Sequence, residues 1–463
     1  MSNQFFKSKR NTYFATVSLT SFLKSDFLKN AGMLFGSSSI TQLISLVVVV
    51  PALTRLFPDP GVHGDMTLFM SLMAVGAAFF TLKYDQSIMV EDDRNKAKSL
   101  VKLSVIINVS FLIISYIILL LLQNPFSTYL GFTKPPSWLY LVPITIFLTA
   151  MVDILNVWWN REKKYKKLSG NRIATFVGSS GYKLLHGALK FNGPNGLIVG
   201  HSLGQLLSVV LFLPKRIKEN ASIEVDQIKA LWHKYKSFRN WAMPGSLINV
   251  IGAQIPVFLI LFFFDRESNG HYGNAMKLTY LPLTAVSYAI SQVLFERLAR
   301  IKDNTSEAIK LGYNILYFLF FLALIPVVVM VVWGDVITPF ILGEGWEVSG
   351  VMTQIMVLFC FAMYISSPFA VAFEVYNRLK LQFVFTSLFA LLTGTALLIT
   401  FHYTNDIYMG LMVFAVVGIL VRLGMLTACF RLIGHNPIFK LLAGIFIIAI
   451  SLVVGFTLRY WIF

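Results

Sequence analysis

The stretch LPKRIKENASIEVDQIKALWHKYKSFRN, residues 213–240, divides the chain. It is the longest polar interruption after the N-terminus and lies near the middle of 463 residues, with long apolar segments in series on either side. Its cations are Lys215, Arg216, Lys218, Lys229, Lys234, Lys236 and Arg239. A basic loop between two hydrophobic halves reads as a cytoplasmic linker between two membrane lobes. Within it, Ile228, Leu231, Trp232, Tyr235 and Phe238 recur at helical spacing with lysines between them. That pattern predicts an amphipathic helix in the membrane interface; a plain solvated linker is the competing reading.

Composition supports a membrane protein. Hydrophobic residues make up 56% of the chain, charged residues only 13%, and the mean hydropathy is +0.69. A soluble domain carries about 25% charged residues, so this chain lacks the polar surface to cover itself. The net charge of +17 would suggest nucleic acid in a soluble protein. In a membrane protein it reflects basic residues retained on the cytoplasmic side, and no nucleic-acid partner is expected. Cys360 and Cys429 both fall inside apolar runs and read as buried free thiols, with neither a disulfide framework nor a metal site implied. Residues 1–30 are polar and basic, and the apolar run after them is longer than the core of a signal peptide. They read as an uncleaved cytoplasmic N-terminal segment.

A helical span needs about 20 mostly apolar residues. Spans are expected near 31–56, 66–82, 101–122, 138–158, 172–190 and 196–213, then 242–264, 275–295, 311–333, 351–373, 381–401, 408–430 and 440–461. Lys183, His186 and several glycines make 172–190 the most diluted of them. With the N-terminus inside and the spans alternating, the inner loops hold most of the 39 Lys and Arg residues, and the outer side holds only Arg55, Lys134, Lys190, Arg266 and Arg459. This asymmetry sets the topology and puts the C-terminus outside.

Short matches repeat in the same order in the two halves, at nearly one separation. Lys29-Asn30 pairs with Arg239-Asn240, Gly61-x-x-Gly64 with Gly270-x-x-Gly273, Leu130-Gly131 with Leu342-Gly343, and Asn160-Arg161 with Asn377-Arg378. The expected fold is all-α: two six-helix lobes, 31–213 and 241–432, related by a pseudo-twofold along the membrane normal. The linker is 214–240, and an extra C-terminal helix occupies 433–463.

Several of these stretches carry a family resemblance. Thr54-Arg55-Leu56-Phe57 with Gly64 before the next span, and LKYDQSIMVE at 82–91, resemble the first two spans of the polysaccharide and O-antigen flippases. YGNAMKLTYLPL at 272–283 and SQVLFERLA at 291–299 are similar to spans seven and eight of that family, and GEGW at 343–346 to the outer loop before span ten. The resemblance covers about residues 27–430. It departs at Glu296, where the family commonly has proline, and at thirteen spans, where twelve or fourteen are usual. It implies a two-lobed bundle related to the MATE multidrug exporters. It also implies a non-enzymatic flippase in the bacterial inner membrane, moving undecaprenyl-pyrophosphate-linked oligosaccharide to the outer leaflet by alternating access, without a cofactor.

Such a substrate presents a diphosphate, and a cavity carrying it needs positive charge. Ionisable side chains inside spans cost about 3 kcal/mol and usually face a bundle interior. The substrate-binding candidates are therefore Lys183, Lys277, Arg55 and Arg422; for Arg55 and Arg422, snorkelling to an interface is the competing role. Asp153 and Glu374 are the candidates for binding a coupling proton or cation, or for neutralising one of the lysines. Proline and glycine concentrate in the first span of the second half, at Pro244, Gly245, Gly252 and Pro256, which suits lobes that rock. A drug/cation antiporter of the same fold would prefer an acidic cavity. A membrane polymerase or ligase would need larger outer loops than this chain has. A non-transporting scaffold stays open.

Overall fold

A computed structural model describes residues 41–191, 193–213 and 225–462. Segment 1–30, the beginning of the first span and the first part of the linker lie outside the described residues. The described residues form helices and short connections, with no strand among them. The first half holds α1 (Thr41–Leu56), α2 (Pro60–Phe80), the short α3 (Tyr84–Val90), α4 (Arg94–Tyr129), α5 (Leu141–Arg161), α6 (Tyr165–Ala188) and α7 (Asn195–Phe212). The linker contributes α8 (Val225–Lys234). The second half holds α9 (Met243–Phe263), α10 (Arg266–Ile301), α11 (Thr305–Leu342), α12 (Glu347–Ser366), the short α13 (Val371–Val375), α14 (Leu379–Thr404) and α15 (Ile407–Leu432), followed by α16 (Ile438–Ile462). Among the described residues, 11 helices are long and apolar enough to cross a membrane. α6, with 24 residues, is long enough but too polar to be among them, and α1 is described over 16 residues only.

Short polar side chains start these helices. Asp59 accepts from Gly61 N–H with Pro60 in the first turn, and Asp93, Asp265, Asn304 and Asp406 cap α4, α10, α11 and α15 in the same way. A π turn, Ser45–Val49, lies in α1, and another, Phe238–Ala242, leads into α9. Each ends two residues before a proline, Pro51 or Pro244. Proline has no N–H to give the preceding turn, and the neighbouring amide reaches back five residues instead, Val50 to Ser45 and Met243 to Phe238.

The two halves pair their helices alike. α1 packs on α6 as α9 packs on α14; α4 packs on α5 as α11 packs on α12; α6 packs on α7 as α14 packs on α15. Leu130-Gly131 and Leu342-Gly343 close α4 and α11, and both glycines have positive φ, 77° and 108°.

Contact between the halves centres on α2 and α10, which cross backbone to backbone. A Cβ on Gly64 would lie 1.9 Å from the Arg266 carbonyl oxygen, and one on Gly270 would lie 1.9 Å from that of Pro60. Beside the crossing, Arg266 pairs with buried Asp65 at 3.4 Å. Fully buried Trp346 stands edge-on between the rings of His63 (5.0 Å) and His271 (5.3 Å). Thr54 and Arg55 donate to the terminal carbonyls of α11. This end of the bundle is closely packed among the described residues.

At the opposite end, α8 is amphipathic as expected, but its apolar face meets protein. Leu231 and Tyr235 are buried in a cluster with Tyr84, Leu100 and Trp158. Trp232 stacks on Tyr84 at 5.1 Å. Lys234 Nζ and the Tyr235 hydroxyl both donate to Glu91, at 2.7 and 2.9 Å. Burial pushes the Glu91 carboxyl up, but these hydrogen bonds outweigh it and hold the group below the usual carboxylate range. α16 lies on α11, held by a forked pair of hydrogen bonds from Arg459 to Asp335.

Candidate functional site

Between the halves lies a cavity of about 1070 Å³. It begins beneath the glycine crossing, at His63 and Tyr272, and its lining runs past mid-helix to Asn156, Arg172, Met363 and Ser367, towards the end where the basic loops gather.

α6 supplies Lys183. The helix is unusually polar because its small residues close onto α7, while Ile173, Val177 and Leu185 form its exposed apolar side. A Cβ on Gly204 would meet the Thr175 carbonyl at 2.5 Å, and one on Gly178 would meet Leu207 at 2.9 Å. The aliphatic stem of Lys183 lies against Gly200, where a Cβ would come within 2.6 Å of its Cγ. The stem is packed and the ammonium is left to the cavity. On the facing wall, Lys277 of α10 reaches the cavity beside Asn274, donating to its Oδ1 at 2.9 Å. Arg422 of α15 lies with its guanidinium 4.8 Å from the Phe389 ring centroid, and its Nε has no hydrogen-bond partner among the described residues. None of these three cations forms an ion pair with a described residue. Each costs about 3 kcal/mol in a membrane interior, which an anionic ligand would offset.

Asp153 of α5 is exposed to the same cavity. It sits near Asn156, which accepts a hydrogen bond from Asn171 at 2.8 Å. Amides from four helices, Gln42, Gln205, Asn249 and Asn274, add neutral donors and acceptors, and Tyr280, Phe359, Phe389 and Phe414 supply aromatic surface on the second half. Such a wall can hold phosphate oxygens through lysine and arginine and sugar hydroxyls through amides.

Two other expected site residues stand elsewhere. Arg55 is outside the cavity lining and donates to Pro51, Phe340 and Ile341 carbonyls. Its charge meets the electronegative C-terminus of α11. Glu374 is exposed at the far end, on α13, also outside the lining. The structure in turn brings His63, His201 and Arg172 into the site.

Residues 52–351 match the polysaccharide biosynthesis protein family. The chain belongs to that family. This agrees with the resemblance read from the sequence. The fold of this polysaccharide biosynthesis protein is similar to that of a lipid II flippase, MurJ, in an inward closed conformation, at 14% identity and a TM-score of 0.67, covering 94% of this chain and 99% of that one. It is also similar to an inward-facing multidrug resistance MATE family transporter of the MOP superfamily, at 14% identity and a TM-score of 0.63, covering 85% and 99%. A third likeness is to the Vibrio cholerae MATE transporter VcmN in its bent form, at 14% identity and 0.53, covering 89% and 98%. Among curated proteins, none matches the sequence. At these identities the structural likenesses establish the fold.

His63 and His201 carried a signal in the sequence that scattered single residues concealed. His63, Thr67 and Ser71 recur every four residues on α2, as do His201 and Gln205 on α7 and Ser179 and Lys183 on α6. Each pattern is a polar stripe down one helix, and all three stripes line the cavity.

Proposed function

We propose that this protein moves undecaprenyl-pyrophosphate-linked oligosaccharide from the inner to the outer leaflet of the bacterial cytoplasmic membrane by alternating access. The observation that carries this reading is the single cavity faced by Lys183, Lys277 and Arg422, none paired with an acid among the described residues. A diphosphate satisfies these cations, and the amides and aromatic rings around them suit a glycan. Close packing at the Gly64–Gly270 end, with a lining that extends towards the basic loops, fits a state that takes substrate from the cytoplasmic side. The lobes 31–213 and 241–432 are the bodies that rock, and the π turns before Pro51 and Pro244 are where their first helices bend.

The decisive experiment reconstitutes the protein in vesicles with a short-chain diphosphate-linked sugar and reads its appearance on the opposite leaflet. Translocation by the native protein and its loss in Lys183→Ala at equal protein amount support the reading. Equal rates for the two proteins overturn it. The second reading, a multidrug/cation antiporter, rests on Asp153, whose carboxylate faces the same cavity and could bind a proton or cation. It requires that a lipophilic cation, added to the same vesicles, be exchanged for protons or sodium and that Asp153→Asn stop the exchange.

A further inference from the structure

The lipid-facing side of α11 has a second concavity, of about 450 Å³, lined by Asn314, Tyr317, Phe318, Phe321 and Leu322. It lies well away from the central cavity, in the half of α11 nearest the basic loops. Its composition is graded. Phe318, Phe321 and Leu322, all exposed, form its apolar part. Towards the helix start come the Tyr317 ring and the Asn314 amide, and one turn further Lys310, exposed on the same helical face. A second cation arrives from the first turn of α16. Lys440 Nζ sits 3.5 Å from the Tyr313 ring centroid and 5.6 Å from that of Tyr317, which lines the groove. Tyr313 is fixed by a 2.7 Å hydrogen bond to His435 and stacks on Tyr317 at 6.1 Å. The nearest acid on α11, Glu307, belongs to the helix cap, where Asn304 Nδ2 donates to it at 3.2 Å.

We infer that this groove binds one anionic phospholipid. Its phosphate lies among Lys310, Lys440, Asn314 and Tyr317, and an acyl chain follows Phe318, Phe321 and Leu322. Two cations and two hydrogen-bonding groups sit where a headgroup lies, directly above an aromatic slot at acyl-chain depth, at the end of the bundle where basic residues gather. A bound lipid here would bridge α11 and α16, and so anchor the C-terminal helix to the second half. This inference does not depend on what the central cavity carries.

The test uses the full-length protein, stripped of lipid in detergent and titrated with phosphatidylglycerol or phosphatidylcholine of identical chains, with retained lipid read by native mass spectrometry. The native protein should retain one phosphatidylglycerol at roughly 25-fold lower concentration than phosphatidylcholine, since each of the two basic residues near the headgroup favours anionic lipid about fivefold. Lys310→Gln/Lys440→Gln should erase the preference, and Lys96→Gln/Lys98→Gln, exposed lysines on α4 at the same end, should keep it. Because Lys440 also packs on Tyr313, Lys310→Gln alone is the second variant and should lower the preference at least threefold. Inorganic phosphate in excess should leave the lipid bound, because it lacks the chain. No preference in the native protein, an unchanged preference in both Lys310 variants, or full displacement by inorganic phosphate would each overturn the proposal.

Discussion

The cations of the central cavity and four of those at the two rims obey opposite rules. At the rims, these four are consumed by the fold. Arg55 meets helix-terminal carbonyls, Arg459 forks onto Asp335, Lys234 meets Glu91, and Arg94 meets Glu162 at 2.7 Å. In the cavity, Lys183, Lys277 and Arg422 have no acid beside them among the described residues, and what holds them in place is packing: glycine for Lys183, an amide for Lys277, an aromatic ring for Arg422. Paired charge sets architecture. Unpaired charge held in position by neutral groups is available to a ligand.

The sharpest test of that contrast is at Lys183. Lys183→Glu should abolish glycan export with the protein still present in the membrane, Lys183→Ala should remove most of it, and Lys183→Arg should retain part. Export measured beside protein abundance checks this; loss of protein in proportion to loss of export would put Lys183 with the rim cations. Next in size is Gly200→Ala. The new methyl would displace the lysine stem, so export should fall several-fold while thermal stability drops by about 1 kcal/mol. A stability loss with no change in export would show that the position of the ammonium is not critical. Arg55→Ala should show the rim pattern: stability lower by about 1–2 kcal/mol through lost hydrogen bonds, and export per molecule nearly unchanged. A thermal-shift assay and an export assay on the same preparation read both.

The smallest effect is expected at Glu91, and it has a definite sign. Its folded carboxyl is held below the usual value, so its contribution is complete above the unfolded pKa of about 4.3 and disappears as the pH falls through the lower folded value. Glu91→Gln should therefore narrow the stability difference from the native protein as the pH drops below about 4. A difference that stays constant with pH would remove Lys234 and Tyr235 as the cause.

Much of this was legible in the chain. Apolar length located eleven of the thirteen expected spans among the described residues, because it is a direct consequence of bilayer chemistry. Hydropathy marks the membrane, however, and not the helix. α4 runs Arg94–Tyr129 where 101–122 was expected, since it continues on polar residues at both ends, and α10 runs Arg266–Ile301 where 275–295 was expected, since its start is polar and glycine-rich yet buried against α2. Short α3 and α13 lack the length to register at all. Lys183, Lys277, Arg422 and Asp153, which line the cavity, were candidates because a charge in an apolar run stands out, whereas His63 and His201 needed the stripe on a neighbouring helix to give them meaning. Arg55 shows what a sequence withholds: its partner carbonyls lie 285 and 286 positions away, and backbone acceptors have no letter in the chain.

The crossing of α2 over α10 has one more consequence. Because Gly64 and Gly270 meet carbonyl oxygens directly, the crossing itself is written in main chain, although His63, a cavity side chain, packs beside it on the Trp346 ring. The cavity lining away from His63 can therefore be rewritten residue by residue while this crossing stays the same. A lineage built on this frame could change what the cavity holds in small steps, with the contact between the halves intact.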